Sequence, residues 1–291
     1  MDIRLVKGEE IDKIKWNSCV HYAVNGNIFG YMWYLDHVAK DWDALVEGDY
    51  ESVFPLVWRS RFWGGKKLYQ PDLMRELGVY SINILSQKRI GAFLEAIPEE
   101  YKRVDIVLNE QNRPPEQTPY AVEKQINHQL FLNRTYEELA MDFTPEIKEE
   151  IALAEDANLL PASNLKPEKI ADFFKKHTPV RKGIDQQFHA LQRVMYNVLH
   201  RGWGFSSGIT NAEGDLLAVN FFIYSHRKAL SLVPVESKAG REVGALAHLY
   251  HYFIRSHADR PIILDFNTVN GQEALALGFG ARENQYYRVR R

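Results

Sequence analysis

One arrangement, a hairpin followed by a helix and a strand, occurs twice in this chain, and that limits the folds open to it. In the first copy, 44–46 and 53–58 are β-branched and aromatic segments joined by the turn Glu47-Gly48-Asp49. A short strand at 67–69 ends at Pro71. Residues 87–97 place Ile90, Phe93, Leu94 and Ile97 at helical spacing, and 104–108 reads as a strand before a polar, proline-rich loop at 109–119. In the second copy Glu213-Gly214-Asp215 is the turn into a long apolar strand, 216–224. A strand at 229–233 stops at Pro234, a helix from about Arg241 presents Leu246, Leu249, Tyr250 and Phe253, and 262–266 is the next strand. The turn glycines lie 166 residues apart, the prolines 163 and the last strand starts 158. Two copies of one α/β unit account for such similar offsets, and chance recurrence of a common hairpin–helix–strand order is the other explanation.

Helical material separates the copies. Residues 144–153 open on Thr-Pro, and proline suits a first helical turn. Residues 167–177 carry Ile170, Phe173 and Phe174 on one face. Asp185 is an N-cap candidate for 185–200, where Phe188, Leu191, Val194, Met195, Val198 and Leu199 form a stripe that Gly202 ends. The expected boundary therefore falls between about 129 and 161, giving domains 1–140 and 141–291 of an α/β chain with mixed sheets.

Composition narrows the function classes. With 45% apolar and 25% charged residues the chain is globular, and 36 basic against 38 acidic residues give no general attraction to DNA or to membranes. Cys19 is the only cysteine, so no internal disulfide forms and a reducing, cytoplasmic setting is expected. The first residues, MDIRLVKGEEIDKIKW, lack the apolar core of a signal peptide, and no run reaches the roughly eighteen apolar residues of a membrane helix.

The closing segment, PIILDFNTVNGQEALALGFGARENQYYRVRR, places Asp265 at the end of an apolar run and surrounds it with Asn267, Thr268 and Asn270. Such side chains cap helices and tighten loops, and at a strand end they also serve ligands. Both readings stand at this point. The layout of the second half resembles the GNAT acyltransferase fold. The tandem arrangement and the run ILDFNTVNGQEALALGFGAR, with its Phe279-Gly280 pair, resemble more specifically the Fem peptidyltransferases, which transfer amino acids from aminoacyl-tRNA to peptidoglycan precursors.

The resemblance implies two GNAT-like domains and transfer of an acyl or aminoacyl group to a primary amine on a small molecule or peptide. Acyl-CoA or aminoacyl-tRNA would be the donor, and no metal is needed. Asp265 or Glu236 would act as base, Tyr286 would protonate the leaving group, and Asn267 and Asn270 would bind the acceptor. Backbone amides in the strand ending at Val233, with Val235 beyond it, would hold the donor carbonyl. The donor loop of GNAT enzymes, Arg/Gln-x-x-Gly-x-Gly/Ala, is matched by Arg241 and Gly244 but not by Leu246. An ordinary helix start explains the same residues. The stretch PEIKEEIALAEDANLLP departs from the Fem pattern: Lys148 is its only base beside Glu146, Glu149, Glu150, Glu155 and Asp156, whereas Fem proteins carry a basic helix there.

The first half lacks a donor loop and would shape the acceptor side. Arg59, Arg61, Lys66 and Lys67, with Arg288, Arg290 and Arg291, are the basic groups left for an anionic substrate, or else solvated surface charges. Tyr31, Trp33, Tyr34, Trp58, Trp63 and Tyr69 read as packing. His248 and His251, one turn apart, lack the acidic partner that a metal helix supplies. The rival to an enzyme is a GNAT-folded ligand-binding protein with a degenerate donor site. A binding module with an unrelated N-terminal half is a third reading, which the similar offsets oppose.

Overall fold

A computed structural model describes residues 1–60, 64–179, 184–268 and 272–291. The chain forms two compact units, Met1–Ile126 with Asn284–Arg291, and Asn127–Glu283. The expected division at 140/141 differs in two respects: the first unit ends at 126, and it also takes the last residues of the chain.

The first unit begins with β1 (Ile3–Val6), α1 (Lys13–Tyr22) and α2 (Met32–Val38). The meander follows as β2 (Asp41–Glu47), β3 (Ser52–Ser60) and β4 (Lys66–Tyr69), then β5 (Tyr80–Ser81), α3 (Gln87–Glu95) and β6 (Tyr101–Val107). Strands β1 to β4 pair antiparallel in order; β4 and β6 are parallel, as a crossover through a helix requires. Gly48 and Tyr50, both with positive φ, make the β2–β3 turn. Tyr31, Trp33 and Tyr34 are buried, as expected of packing residues. Trp63 and Arg61 lie outside the described residues.

The chain then enters β7 (Ala121–Phe131), α4 (Tyr136–Met141), α5 (Pro145–Asp156), β8 (Leu160–Ser163), α6 (Pro167–His177) and α7 (Ile184–His200). Thr144 caps α5, its side chain accepting from the Ile147 amide. Helix α7 starts at Ile184, so Asp185 sits in its first turn rather than at the cap, and Leu199 is exposed while the rest of the predicted stripe is buried. The second meander is β9 (Gly204–Thr210), β10 (Leu216–Ser225) and β11 (Lys228–Ser231), followed by β12 (Val235–Glu236). The single helix expected from Arg241 is two, α8 (Lys238–Glu242) and α9 (Ala245–His257), because Gly244 adopts a left-handed φ of 65° between them. Strand β13 (Ile263–Asp265), α10 (Glu273–Gly278) and β14 (Arg282–Arg290) complete the chain.

The second unit repeats the strand directions of the first: β8, β9, β10 and β11 pair antiparallel, and β11 and β13 parallel. A final antiparallel strand flanks each parallel pair. In the first unit it is the end of β14, with Arg288 opposite Val107; in the second it is the end of β7, with Leu130 opposite Leu264. The strand that follows β6 in sequence thus serves the second unit, and the strand that follows α10 serves the first. The second core centres on Phe222, Tyr250, Phe253, Phe266 and Phe279. Phe279 plugs it edge-on against Phe143 at 5.1 Å, and Gly280 takes the positive φ that turns the chain toward β14.

Cys19 is buried, with its Sγ 3.6 Å from the Glu51 carbonyl, and burial pushes the thiol up to about 12. Folded protein is therefore expected to resist iodoacetamide at pH 8, and urea-unfolded protein to take up one equivalent. Mass spectrometry reads both states.

Candidate active site

Strands β11 and β13 run in register from Lys228 opposite Ile263 to Leu230 opposite Asp265, and no further. Beyond that point Pro234 has no N–H to continue the ladder, and β12 pairs with β10, Val235 lying opposite Val219. A parallel pair that opens at its carboxyl end is where α/β sheets hold ligands.

Asp265 ends β13 there, 1% exposed. Its Oδ1 accepts from Asn127 Nδ2 at 2.9 Å and from the Asn267 amide at 3.0 Å, and its Oδ2 from Gln129 Nε2 at 3.3 Å. These bonds tie the carboxylate to β7 and to the loop that follows Asp265. Asn267, at φ 54°, uses its amide on Asp265, while its Oδ1 is buried without a hydrogen bond. Asn270 lies outside the described residues.

The sequence reading did not single out the residues that surround Asp265. Asn127, His128 and Gln129 are consecutive buried polar residues of β7. The Thr268 amide donates to Asn127 Oδ1 at 3.1 Å, and the Thr268 hydroxyl lies 3.5 Å from the same oxygen. His128 Nδ1 is 2.9 Å from Thr268 Oγ1. Asn127 Oδ1 can only accept, so the chain runs from a protonated His128 Nδ1 to Thr268 Oγ1, to Asn127, and through Asn127 Nδ2 to Asp265. That leaves the lone pair on His128 Nε2, which is buried and unmatched. Gln272 Oε1, across the loop, is a third such atom, although Gln272 Nε2 donates to the Pro234 carbonyl. Each such atom calls for a partner, and three belong to residues beside this strand opening, although others occur elsewhere in the chain, His248 Nδ1 among them.

The predicted donor residues sit in different surroundings. The Val233 amide is held by Asn220 Oδ1 at 3.3 Å. Asn220 also donates to Ser231 Oγ at 2.8 Å, which is 2.6 Å from the Tyr250 hydroxyl; burial pushes that phenol up, so it stays neutral. Glu236 and Arg241 pair with each other, Nε to Oε1 at 3.1 Å. Gly244 backs onto α5: a Cβ there would lie 2.3 Å from the Glu150 carbonyl oxygen. Ala245, Leu246 and Ala247, the first turn of α9, are all buried. Burial, and the neighbouring Glu236 carboxylate, raise the Glu150 carboxyl above its ordinary value. Tyr286 belongs to the first unit, where it is buried with the Arg75 guanidinium 5.9 Å from its ring centre.

His251 Nε2 meets the Tyr136 hydroxyl at 2.6 Å and His257 Nε2 the Tyr224 hydroxyl at 2.5 Å. Among the described residues no group of three His, Cys, Asp or Glu side chains is placed to hold a metal ion, and no helix is long and apolar enough to cross a membrane.

No protein-family model and no curated protein matches this sequence. Solved structures do. FemX aligns over 99% of this chain and 97% of its own, with a TM-score of 0.62 at 11% identity. A tandem GNAT protein from the clavulanic acid biosynthesis pathway aligns over 99% and 98%, with a TM-score of 0.54 at 12% identity. The L-PGS of Bacillus licheniformis aligns over 96% and 92%, with a TM-score of 0.56 at 11% identity. Likeness at such low identity is likeness of fold: this chain has the two-domain, GNAT-like fold of the Fem type.

Proposed function

We propose that the second unit transfers an acyl or aminoacyl group to a primary amine at the open end of β11 and β13. The observation that carries this reading is the polar chain from Asp265 through Asn127 and Thr268 to an imidazole nitrogen with no partner. Attack on an ester or thioester carbonyl forms a C–N bond, breaks the C–O or C–S bond and releases a proton from the attacking nitrogen. His128 Nε2 accepts that proton and returns it to the leaving oxygen or sulfur. Asp265 acts as a positioning residue, fixing the ring through Asn127 and Thr268. Asn267 Oδ1 and Gln272 Oε1 receive the N–H groups of the amine.

The surroundings of Gly244 bear on the donor. Pyrophosphate held at the start of α9 would meet a buried first turn and the Glu150 and Glu236 carboxylates, which repel it. The same carboxylates would repel the phosphates of a tRNA, so both donors enter the test on equal terms.

The test offers acetyl-CoA and radiolabelled aminoacyl-tRNA in parallel with a panel of primary amines, and follows the labelled amide. Once a productive pair is found, His128→Gln is expected to lower kcat by about 100-fold with KM nearly unchanged, the size of effect a lost proton acceptor has. Equal rates in wild type and variant would remove His128 from the chemistry. If neither donor yields product, the second reading takes over, that of a catalytically silent ligand-binding protein. The occupied Val233 amide favours it.

A further inference from the structure

The first unit has a separate feature that the transfer reaction does not use. Along β4, β6 and β14, Leu68, Val104, Ile106 and Val289 are buried, and the residues alternating with them point to the other face. That face is basic. Arg59 lies opposite Lys67, Lys67 opposite Arg103, and Tyr69 opposite Asp105, which in turn is opposite Arg290. Two basic clusters more than two hundred residues apart in sequence, at 59–67 and 288–290, become one surface.

A cleft of about 250 Å3 opens on it. Arg59, Lys67 and Arg288 line it with Asp72 and Asp105, and Tyr69 forms a wall. Asp105 is shared: Arg288 Nε is 2.7 Å away, Lys67 Nζ 3.6 Å and Arg290 Nε 3.7 Å. Arg290 has a second partner in Glu123, 2.6 Å away, so within the cleft two carboxylates, Asp72 and Asp105, face three cations, Arg59, Lys67 and Arg288. The contact of Asp105 with Arg288 runs through Nε, so the terminal nitrogens of that guanidinium are not used in it. Arg59 makes no ion pair among the described residues and lies over the Tyr69 ring at 5.1 Å. The Arg288 hydrogen bond holds the Asp105 carboxyl below its usual range, so the cations keep their places at neutral pH.

We propose that this cleft is a binding site for a phosphate-bearing small molecule, with a diphosphate spanning Arg59, Lys67 and Arg288. Two guanidinium forks and one ammonium around a small polar space suit phosphoryl oxygens better than a lone carboxylate, because each fork offers two parallel donors. The volume is below that of pockets that enclose drug-sized ligands, so the charged group itself is what fits.

Calorimetric titration at low ionic strength tests this without any assay of transfer, so its outcome is independent of the proposed activity. The probes are inorganic diphosphate, inorganic phosphate and succinate. Diphosphate is expected to bind below millimolar, phosphate about tenfold more weakly, and succinate without measurable heat; added salt should weaken all binding. Arg59→Gln, at an exposed residue with no ion pair among the described residues, is expected to lower diphosphate affinity at least tenfold with an unchanged melting temperature. Lys67→Gln provides a second variant with the same expectation. Absence of heat with diphosphate, equal affinity in Arg59→Gln and Lys67→Gln, or succinate binding as tightly as diphosphate would each overturn the assignment.

Discussion

Asp265→Ala is expected to destabilise the second unit by about 3–5 kcal/mol, the loss typical of removing one partner from a buried charged network. Among the described residues three donors end on this carboxylate: Asn127 Nδ2, Gln129 Nε2 and the Asn267 amide. Removing the acceptor strands them away from water, and each unmatched donor costs about 1–3 kcal/mol before any relaxation. Asp265→Asn keeps the shape and one carbonyl oxygen but turns an NH2 toward a donor, so about half the loss is expected. Urea unfolding followed by tryptophan fluorescence and far-ultraviolet circular dichroism reads the difference. With two compact units, two transitions are possible, and only the one belonging to 127–283 should move. A shift of less than about 1 kcal/mol for Asp265→Ala would mean that Asp265 is not the anchor described here.

The expected effect is larger than sequence alone justified, and the reason is instructive. The position of Asp265, at the end of an apolar run before a polar loop, was legible, and so was the choice between a capping and a substrate role. What could not be read was the partner strand. Its residues Asn127, His128 and Gln129 lie 136 or more positions away, in a segment whose exposure does not alternate: 121–126 is largely exposed and 127–130 continuously buried. A strand half in water and half in a polar core has neither the period of an edge nor the apolar run of a centre. The local signal was the triplet itself, Asn-His-Gln between Ile126 and Leu130, set between the polar run Glu123-Lys124-Gln125 and the apolar Leu130-Phe131-Leu132. The exchange of last strands was invisible for a related reason, since β7 and β14 both satisfy a strand pattern and only the folded chain decides which parallel pair each one borders.

The helices tell the opposite story. Residues 167–177 and the stripe of α7 were legible because a helix buries its own face wherever it docks, and of that stripe Leu199, in the last turn, is exposed. Local pattern identifies elements; it says little about the residues that meet when those elements assemble. The basic cleft of the first unit is the same case. Arg59 and Lys67 were visible as charges, Arg288 and Arg290 likewise, and nothing in either segment announced the other.

Gly244→Ala separates the two meanings of the donor-loop match. If this glycine serves to admit an anion, alanine should change ligand affinity and leave stability close to wild type. The surroundings say otherwise: the new methyl would lie 2.3 Å from the Glu150 carbonyl oxygen and 3.0 Å from its carbon, both backbone atoms of α5 that cannot rotate away. The φ of 65° adds about 1 kcal/mol for any residue with a Cβ. Helix α5 buries Ile147, Ile151 and Ala154, and its contact with α9 would have to loosen to make room. A total loss of about 2–4 kcal/mol is therefore expected, within the range of overpacking plus backbone strain. Arg241→Ala supplies the contrast. Its side chain is 75% exposed, its pair with Glu236 is a surface ion pair, and a change below about 1 kcal/mol is expected. Thermal unfolding of both variants decides the matter. A destabilised Gly244→Ala beside an unchanged Arg241→Ala makes the motif a packing contact between α5 and α9. Wild-type stability in Gly244→Ala would show that α5 yields easily, and would return the start of α9 to consideration as the place where a phosphate-bearing donor is held.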